Sequence, residues 1–186
     1  MAADQAVRWY ACYTRSRHEK RVAAALEEAG QDVFLPMYPK ISQWHDRTRT
    51  VYWALFPGYL FVQCVPGDLT DVVLRVPGAV SIVSLGGKPV PIPDSEIASV
   101  QRFAAVLAET GEIPQAEPLV EEGWRVRVAE GPLAGVEGVV LEKRGRARAL
   151  VQVGVRAIGQ GLKVELDAAV LETIEKSGSE DSAPGE

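Results

Sequence analysis

Cysteine and histidine are scarce in this chain, two of each in 186 residues. Cys12 and Cys64 lie far apart, each inside an apolar run, and neither forms a metal-type spacing with His18 or His45. Structural zinc needs about four such ligands at short intervals, and a disulfide-stapled domain needs a denser cysteine framework. Both are excluded, and the two thiols read as small core residues in a reducing compartment. No nucleophile-base arrangement stands out either, so an enzyme is not expected and no cofactor is implied. No apolar run approaches the ~20 residues that span a bilayer. The opening MAADQAVRWY has no basic stretch followed by an apolar one, so the expected location is the cytoplasm, without membrane contact.

Positive charge is also in short supply. The net charge of −5 argues against a bulk nucleic-acid binder, but its distribution is uneven. Residues 1–110 carry 11 basic and 11 acidic side chains, whereas residues 111–186 carry 9 and 14. Any nucleic-acid contact must therefore come from a local patch rather than a global field.

With 47% hydrophobic and 24% charged residues, the chain has room for one medium domain or two small ones. The segment AETGEIPQAEP, residues 108–118, is rich in proline and glutamate and reads as an extended linker. Residues 1–107 before it show a mixed pattern, residues 119–175 after it an all-β one, and the polar, acidic residues 176–186 read as a disordered tail.

In the first part, Val7 to Tyr13 suits a central strand. Ser16 and Glu19 fit a capping box for a helix beginning near residue 17, with Val22, Leu26 and Ala29 on its apolar face. Val33 to Pro36, Tyr52 to Leu55, Tyr59 to Val65 and Val80 to Ser84 read as strands, the middle pair flanking the break Phe56-Pro57-Gly58. A short helix is expected from Asp68 to Arg75. A last one, capped by Asp94, would carry Ile97, Val100, Ala104 and Leu107 on one face. The expected fold is an α+β unit, an antiparallel sheet flanked by helices, followed by a small all-β barrel.

The second part carries GWRVRVAEGPLAGVEGVV from Gly123 to Val140, in which Trp124, Val126 and Val128 alternate with Arg125 and Arg127 in the period of a half-buried strand. Turn residues follow, then a second apolar run. This segment resembles a KOW motif, a small SH3-like barrel. In the first part, Arg8-Trp9-Tyr10, then Phe56-Pro57-Gly58-Tyr59-Leu60-Phe61-Val62, then Val76-Pro77-Gly78, resemble the N-terminal (NGN) domain of NusG-type transcription factors. Val164-Glu165-Leu166-Asp167 is similar to the end of the barrel. The likeness spans roughly residues 7–175.

The resemblance implies a monomeric elongation or antitermination factor. Its first domain would bind the clamp helices of bacterial RNA polymerase and suppress pausing or termination. Its barrel would recruit Rho, a small-subunit ribosomal protein or a further elongation factor. Tyr13, Phe56, Tyr59 and Phe61 match positions at the polymerase surface, where they would line an exposed apolar groove; by pattern alone such rings are ordinary core. Arg15, Arg17, His18, Lys20 and Arg21 place four positive charges within seven residues. They match the region through which the specialised RfaH branch meets the non-template DNA strand, and as residues they read equally as a solvated helix face. His18, at the flank of the apolar stripe, suits a partly buried, hydrogen-bonded role as well as a base contact.

In the barrel, Ile158-Gly159 stands where the family carries an aromatic before glycine on its recruiting surface, and loss of the ring removes a large anchor. Lys143, Arg144, Arg146 and Arg148 surround a hairpin tip, a solvated turn or an RNA contact. Pro66-Gly67-Asp68-Leu69 lacks the hydroxyl-rich stretch of RfaH, which implies an altered bridging contact. The glycines at 131, 135, 138, 154, 159 and 161, with several β-branched residues, disfavour the helical refolding of that paralogue's second domain. The favoured reading is a specialised factor serving a subset of operons. The alternatives are the housekeeping factor of the family and a KOW-type RNA-binding or ribosome-associated protein.

Overall fold

The computed structural model describes residues 6–43, 48–111, 116–118, 123–144 and 148–177. The N-terminal region contains β1 (Arg8–Thr14), α1 (Glu19–Glu28), β2 (Asp32–Phe34), β3 (Met37–Gln43), β4 (Thr48–Ala54), β5 (Tyr59–Cys64), α2 (Pro66–Asp71), β6 (Ala79–Ile82), β7 (Ser84–Leu85), β8 (Lys88–Pro89) and α3 (Asp94–Thr110). A single 3-10 turn, Val73–Arg75, continues α2. The C-terminal region contains β9 (Ala116–Pro118), β10 (Gly123–Val128), β11 (Glu137–Arg144), β12 (Arg148–Val155), β13 (Gln160–Asp167) and β14 (Leu171–Ser177).

Four strands form the first sheet in the order β2-β5-β1-β6. Both β1–β5 and β2–β5 pair antiparallel, with Tyr13 opposite Tyr59 and Ala11 opposite Phe61. Strand β5 lies inside the sheet, and Leu60, Phe61 and Val62 are all fully buried. A continuous apolar run of this kind belongs to a strand covered on both faces. On one face Tyr10, Cys12, Leu60, Val62 and Cys64 pack with Val22, Ala23 and Leu26 of α1 and Leu69 of α2. On the other, Ala11 and Phe61 join Ile97, Val100, Phe103 and Leu107 of α3. Burial pushes the Cys12 thiol up to about 12. Burial, aided by the negative charge of Asp68, pushes Cys64 up to about 11. Both thiols are free.

Strands β3 and β4 form a separate two-stranded hairpin, from Met37 opposite Ala54 to Gln43 opposite Thr48. The six strands of the C-terminal region form one antiparallel sheet in the order β14-β10-β11-β12-β13-β9. It surrounds a small cluster of Val126, Ala149 and Val151. The expected mixed unit followed by a β-rich one is thus the observed architecture, and the described residues from 123 to 177 carry strands, turns and two single turns of 3-10 helix.

Helix α3 joins the two regions. Its buried cluster continues into Val128, Leu133, Val136, Val153, Val155 and Leu162 of the second sheet. Polar contacts run beside it. Glu96 accepts from the Arg156 guanidinium at 2.6 Å and from the Arg156 backbone N–H at 3.1 Å. The Glu137 backbone N–H donates to the Ser99 hydroxyl at 2.9 Å. Glu96, Ser99 and Phe103 stand three and four residues apart, hence on one side of the helix. One face of α3 thus meets the first sheet and its neighbour meets the second.

Several local expectations are corrected. Helix α1 begins at Glu19 with His18 before it and no side-chain cap. The capping box fails because the Glu19 carboxylate accepts instead from the distant Gly58 backbone N–H at 2.8 Å. Asp94 is the first helical residue rather than the cap, and Pro93 precedes the helix. Its carboxylate still lies in the first turn, where the helix dipole favours negative charge. Ordered structure enters the 108–118 segment from both sides, since α3 runs through Thr110 and β9 pairs with β13. Lys176 and Ser177 belong to β14; residues 178–186 lie outside the described residues.

Candidate polymerase and nucleic-acid interface

The break before β5 is a tight turn built for glycine. The Tyr59 N–H donates to the Phe56 carbonyl at 3.0 Å, with Pro57 and Gly58 at the two central positions. Gly58 has φ +83°, the left-handed value that the third residue of a type II turn requires. A Cβ there would lie 3.0 Å from the Tyr13 ring. Thr14 N–H donates to the Gly58 carbonyl at 2.8 Å, which ties the turn to the end of β1. Tyr13 and Tyr59, opposite one another across the strands, bring their rings to 5.3 Å at 54°.

The four aromatic positions thus separate into two pairs. Tyr13 is 42% exposed and Tyr59 partly so. Phe56 and Phe61 are fully buried and meet edge to face at 6.1 Å, in the cluster that includes α3. An exposed apolar groove through all four is not what this domain arrangement presents. The tyrosines form the accessible part, and the phenylalanines support it from below.

The basic cluster lies next to this aromatic pair. Arg15 N–H donates to the Gly78 carbonyl at 2.9 Å, and His18 N–H closes a turn onto the Arg15 carbonyl at 3.0 Å. Arg17 sits within that turn at φ +62° and is exposed, so it precedes the helix instead of sharing a helical face with Lys20 and Arg21. A non-glycine residue held in this region stores on the order of 1–3 kcal/mol of strain, which the surrounding hydrogen bonds must offset. Gly78 (φ +110°) lets the chain pass close: a Cβ there would come within 3.2 Å of His18 and 3.0 Å of Val22. His18 is half-buried, with Nδ1 3.0 Å from the Ser16 carbonyl, a contact that needs the Nδ1–H form. Lys20 reaches the hairpin and donates to the Tyr52 carbonyl at 2.7 Å. Arg15 and Arg21 are exposed.

Ile158 is half-buried against the cluster formed with α3, and Gly159 ends the 3-10 turn Arg156–Ile158 that Glu96 holds. The expected recruiting position therefore lies at the contact between the two regions. Lys143 and Arg148 are exposed near the end of β11–β12; Arg148 pairs with Glu165 at 3.0 Å. Arg144 is opposite Arg148 in register. Arg146 and His45 lie outside the described residues. Among the described residues no group of three histidine, cysteine or acidic side chains is placed to hold a metal ion. No described helix is long and apolar enough to cross a membrane.

Reading residue patterns alone caught Tyr52 to Leu55 as a strand but missed β3, its pairing with β4, and the exposure of Tyr52 and Trp53 (51% and 52%). The alternation in Arg49, Val51 and Trp53 against Thr48, Thr50 and Tyr52 was the available signal.

A paired aromatic face, a basic turn beside it and a separate β-rich unit docked through α3 make up a two-part molecule. Residues 7–101 match the family model described as transcription termination factor NusG. The chain is 31% identical over 180 residues to the transcription termination/antitermination protein NusG of Thermus thermophilus, covering 87% of this chain and 95% of that protein. It is 29% identical over 180 residues to NusG of Pseudomonas aeruginosa, covering 91% and 99%. A solved structure of Thermotoga maritima NusG, described as showing its domain interaction, aligns with a TM-score of 0.52 and 26% identity, over 93% of this chain and 100% of that one. The chain belongs to the NusG family of transcription termination and antitermination factors.

Proposed function

We propose that this protein binds the clamp helices of bacterial RNA polymerase through its N-terminal region and suppresses pausing or termination, on a subset of operons. The observation that carries this reading is the Tyr13–Tyr59 pair, an accessible aromatic face fixed by the turn at Gly58. Aromatic anchors of this kind dominate binding energy at protein interfaces. Phe56 and Phe61 back the pair from within the core. Arg15, Arg17, Lys20 and Arg21 would meet the non-template DNA strand, with phosphate contacts giving affinity. His18, held by Ser16 and packed beside Gly78, shapes the turn and contributes a ring edge at most. The C-terminal region recruits a partner such as Rho, a small-subunit ribosomal protein or another elongation factor, with Ile158 and Gly159 at that surface. The cluster of Lys143, Arg144, Arg146 and Arg148 offers an RNA contact.

The test is binding to a reconstituted bacterial elongation complex, comparing wild type with Tyr13→Ala/Tyr59→Ala. Loss of two hot-spot rings should weaken binding by roughly 30-fold or more. Unchanged affinity would remove the polymerase-binding reading. A second reading, the general elongation factor acting on most transcription units, is favoured by similarity to NusG proteins over nearly their full length. Genome-wide pause maps in a deletion strain separate the two: effects confined to a few operons support the specialised role.

A further inference from the structure

The C-terminal sheet buries two separate sets of side chains. Val153 and Val155, late in β12, belong to the cluster shared with α3. Val126, Ala149 and Val151 form the other, which is small. Beyond it the interior is not filled. A pocket of about 220 Å³ opens there, lined by the buried Val126 and Ala149 and the half-buried Val140 and Leu171. Trp124, 46% exposed, and the exposed Lys143 stand at its mouth. Among the described residues, polar side-chain groups enter the lining only from these two and from Thr173. Strand β12 runs about 20 Å from Ala149 to Val155, so the pocket lies at the end of the sheet away from α3.

We infer that this pocket takes one apolar side chain, of about leucine size, from an extended segment of a partner protein that carries a carboxylate beside it. Small-molecule and cofactor sites are usually larger, about 300–1,000 Å³; this one suits a single aliphatic group. A tryptophan at the rim of an apolar pocket is the composition of a protein–protein hot spot. The sign of the neighbouring charge comes from the hairpin: Lys143 lines the pocket, and one position further on, Arg144 lies opposite Arg148 in register. Like charges directly opposite one another repel, so the mouth favours an anionic neighbour. A nucleobase would bring polar ring edges among aliphatic side chains, where they are costly if unpaired. The inference rests on the recruiting role proposed for the C-terminal region and adds a surface to it. The pocket and the turn at Ile158 lie toward opposite ends of β12, so a partner can be held here while α3 keeps its contact with the second sheet.

The experiment uses the full chain, labelled with nitrogen-15, and N-acetyl-leucine, which carries the side chain and the carboxylate in one molecule. Amide and indole shifts of Trp124, Lys143, Leu171 and Thr173 should saturate at an affinity on the order of 1–10 mM, ordinary for about a dozen heavy atoms. N-acetyl-glycine should bind at least about tenfold more weakly. N-acetyl-leucinamide should lose about 2- to 5-fold, and Lys143→Gln should erase that difference. Ala168→Leu, which fills the pocket from its half-buried rim, should abolish the shifts, and Glu96→Ala should leave them unchanged. An acetylated, amidated Ser-Glu-Leu-Glu-Ser peptide should bind at least as tightly as N-acetyl-leucine. Circular dichroism checks the fold of each variant, and the comparison of ligands on the wild type needs no variant at all. Absence of saturable shifts at these four residues, or equal binding of the glycine and leucine derivatives, would overturn the pocket and leave the polymerase reading standing. Failure of the peptide to bind would overturn the protein partner in favour of a free small acid. Uridine monophosphate binding there more tightly than N-acetyl-leucine would overturn it in favour of RNA.

Discussion

Replacing Glu96 by alanine tests how the two regions are held together. The carboxylate is 9% exposed and accepts two hydrogen bonds, one from the Arg156 side chain and one from the Arg156 backbone N–H. The guanidinium is 56% exposed and regains water when its partner goes, so screening limits its share to about 1 kcal/mol. The backbone N–H has a charged acceptor in a partly buried place, and losing it costs about 1–2 kcal/mol. The sum, about 2–3 kcal/mol, corresponds to a roughly 30- to 150-fold shift in the local opening equilibrium. Residue-resolved amide hydrogen exchange reads this directly. The Arg156 and Glu137 amides, which donate to Glu96 and Ser99 across the contact, should exchange that much faster in Glu96→Ala. Amides of Val151 and Val153, inside the second sheet, should hold their rates. Arg156→Ala should do less, because it keeps the backbone donor. If the Arg156 amide is unprotected in the wild type, or its rate is the same in Glu96→Ala, the reasoning fails.

Two further outcomes follow from the first sheet. Gly58→Ala forces a side chain onto φ +83° and against the Tyr13 ring, and should destabilise the protein by about 1–3 kcal/mol in urea; a loss below half of that would mean the turn has room to adjust. The raised thiols make stability fall at alkaline pH. An unfolded cysteine ionises near 9, whereas Cys64 and Cys12 hold their protons to about 11 and 12. The folded state therefore binds more protons above pH 9, and unfolding free energy should drop by about 1.4 kcal/mol per thiol per pH unit until the folded values are reached. Urea midpoints at pH 8 and 10 should diverge for wild type and converge in Cys12→Ala/Cys64→Ala; equal slopes would refute the burial argument.

Much of the N-terminal region was legible because its signals are local. The apolar run at β5, the proline-glycine break before it and the periodicity of α3 all depend on neighbours in sequence. What escaped depends on distant partners. Glu19 looked like half of a capping box, but its acceptor oxygen is taken by Gly58, 39 residues away. Glu96 and Ser99 lie off the apolar stripe read for α3, and their partners at Arg156 and Glu137 belong to the distant second region. Strand β3 contains Pro39 and polar Lys40, Ser42 and Gln43, a poor strand by composition. It is viable because a two-stranded hairpin leaves an edge where proline need not donate. At the site, residue identity singled out the four aromatics, but only the packing of α3 and the second sheet separates the accessible tyrosines from the enclosed phenylalanines.

The placement of α3 between two sheets has a kinetic and competitive meaning. Only a few residues separate Thr110 at its end from β9 at Ala116, so the second sheet is a tethered occupant of the helix face. For so short a connection the effective concentration is in the millimolar range. Any protein that needs the Glu96–Phe103 face must outcompete that occupant, and weak encounters will not. The tether thus sets an affinity threshold for partners of this face, and substitutions at Glu96 or Ser99 would lower it without touching the aromatic pair.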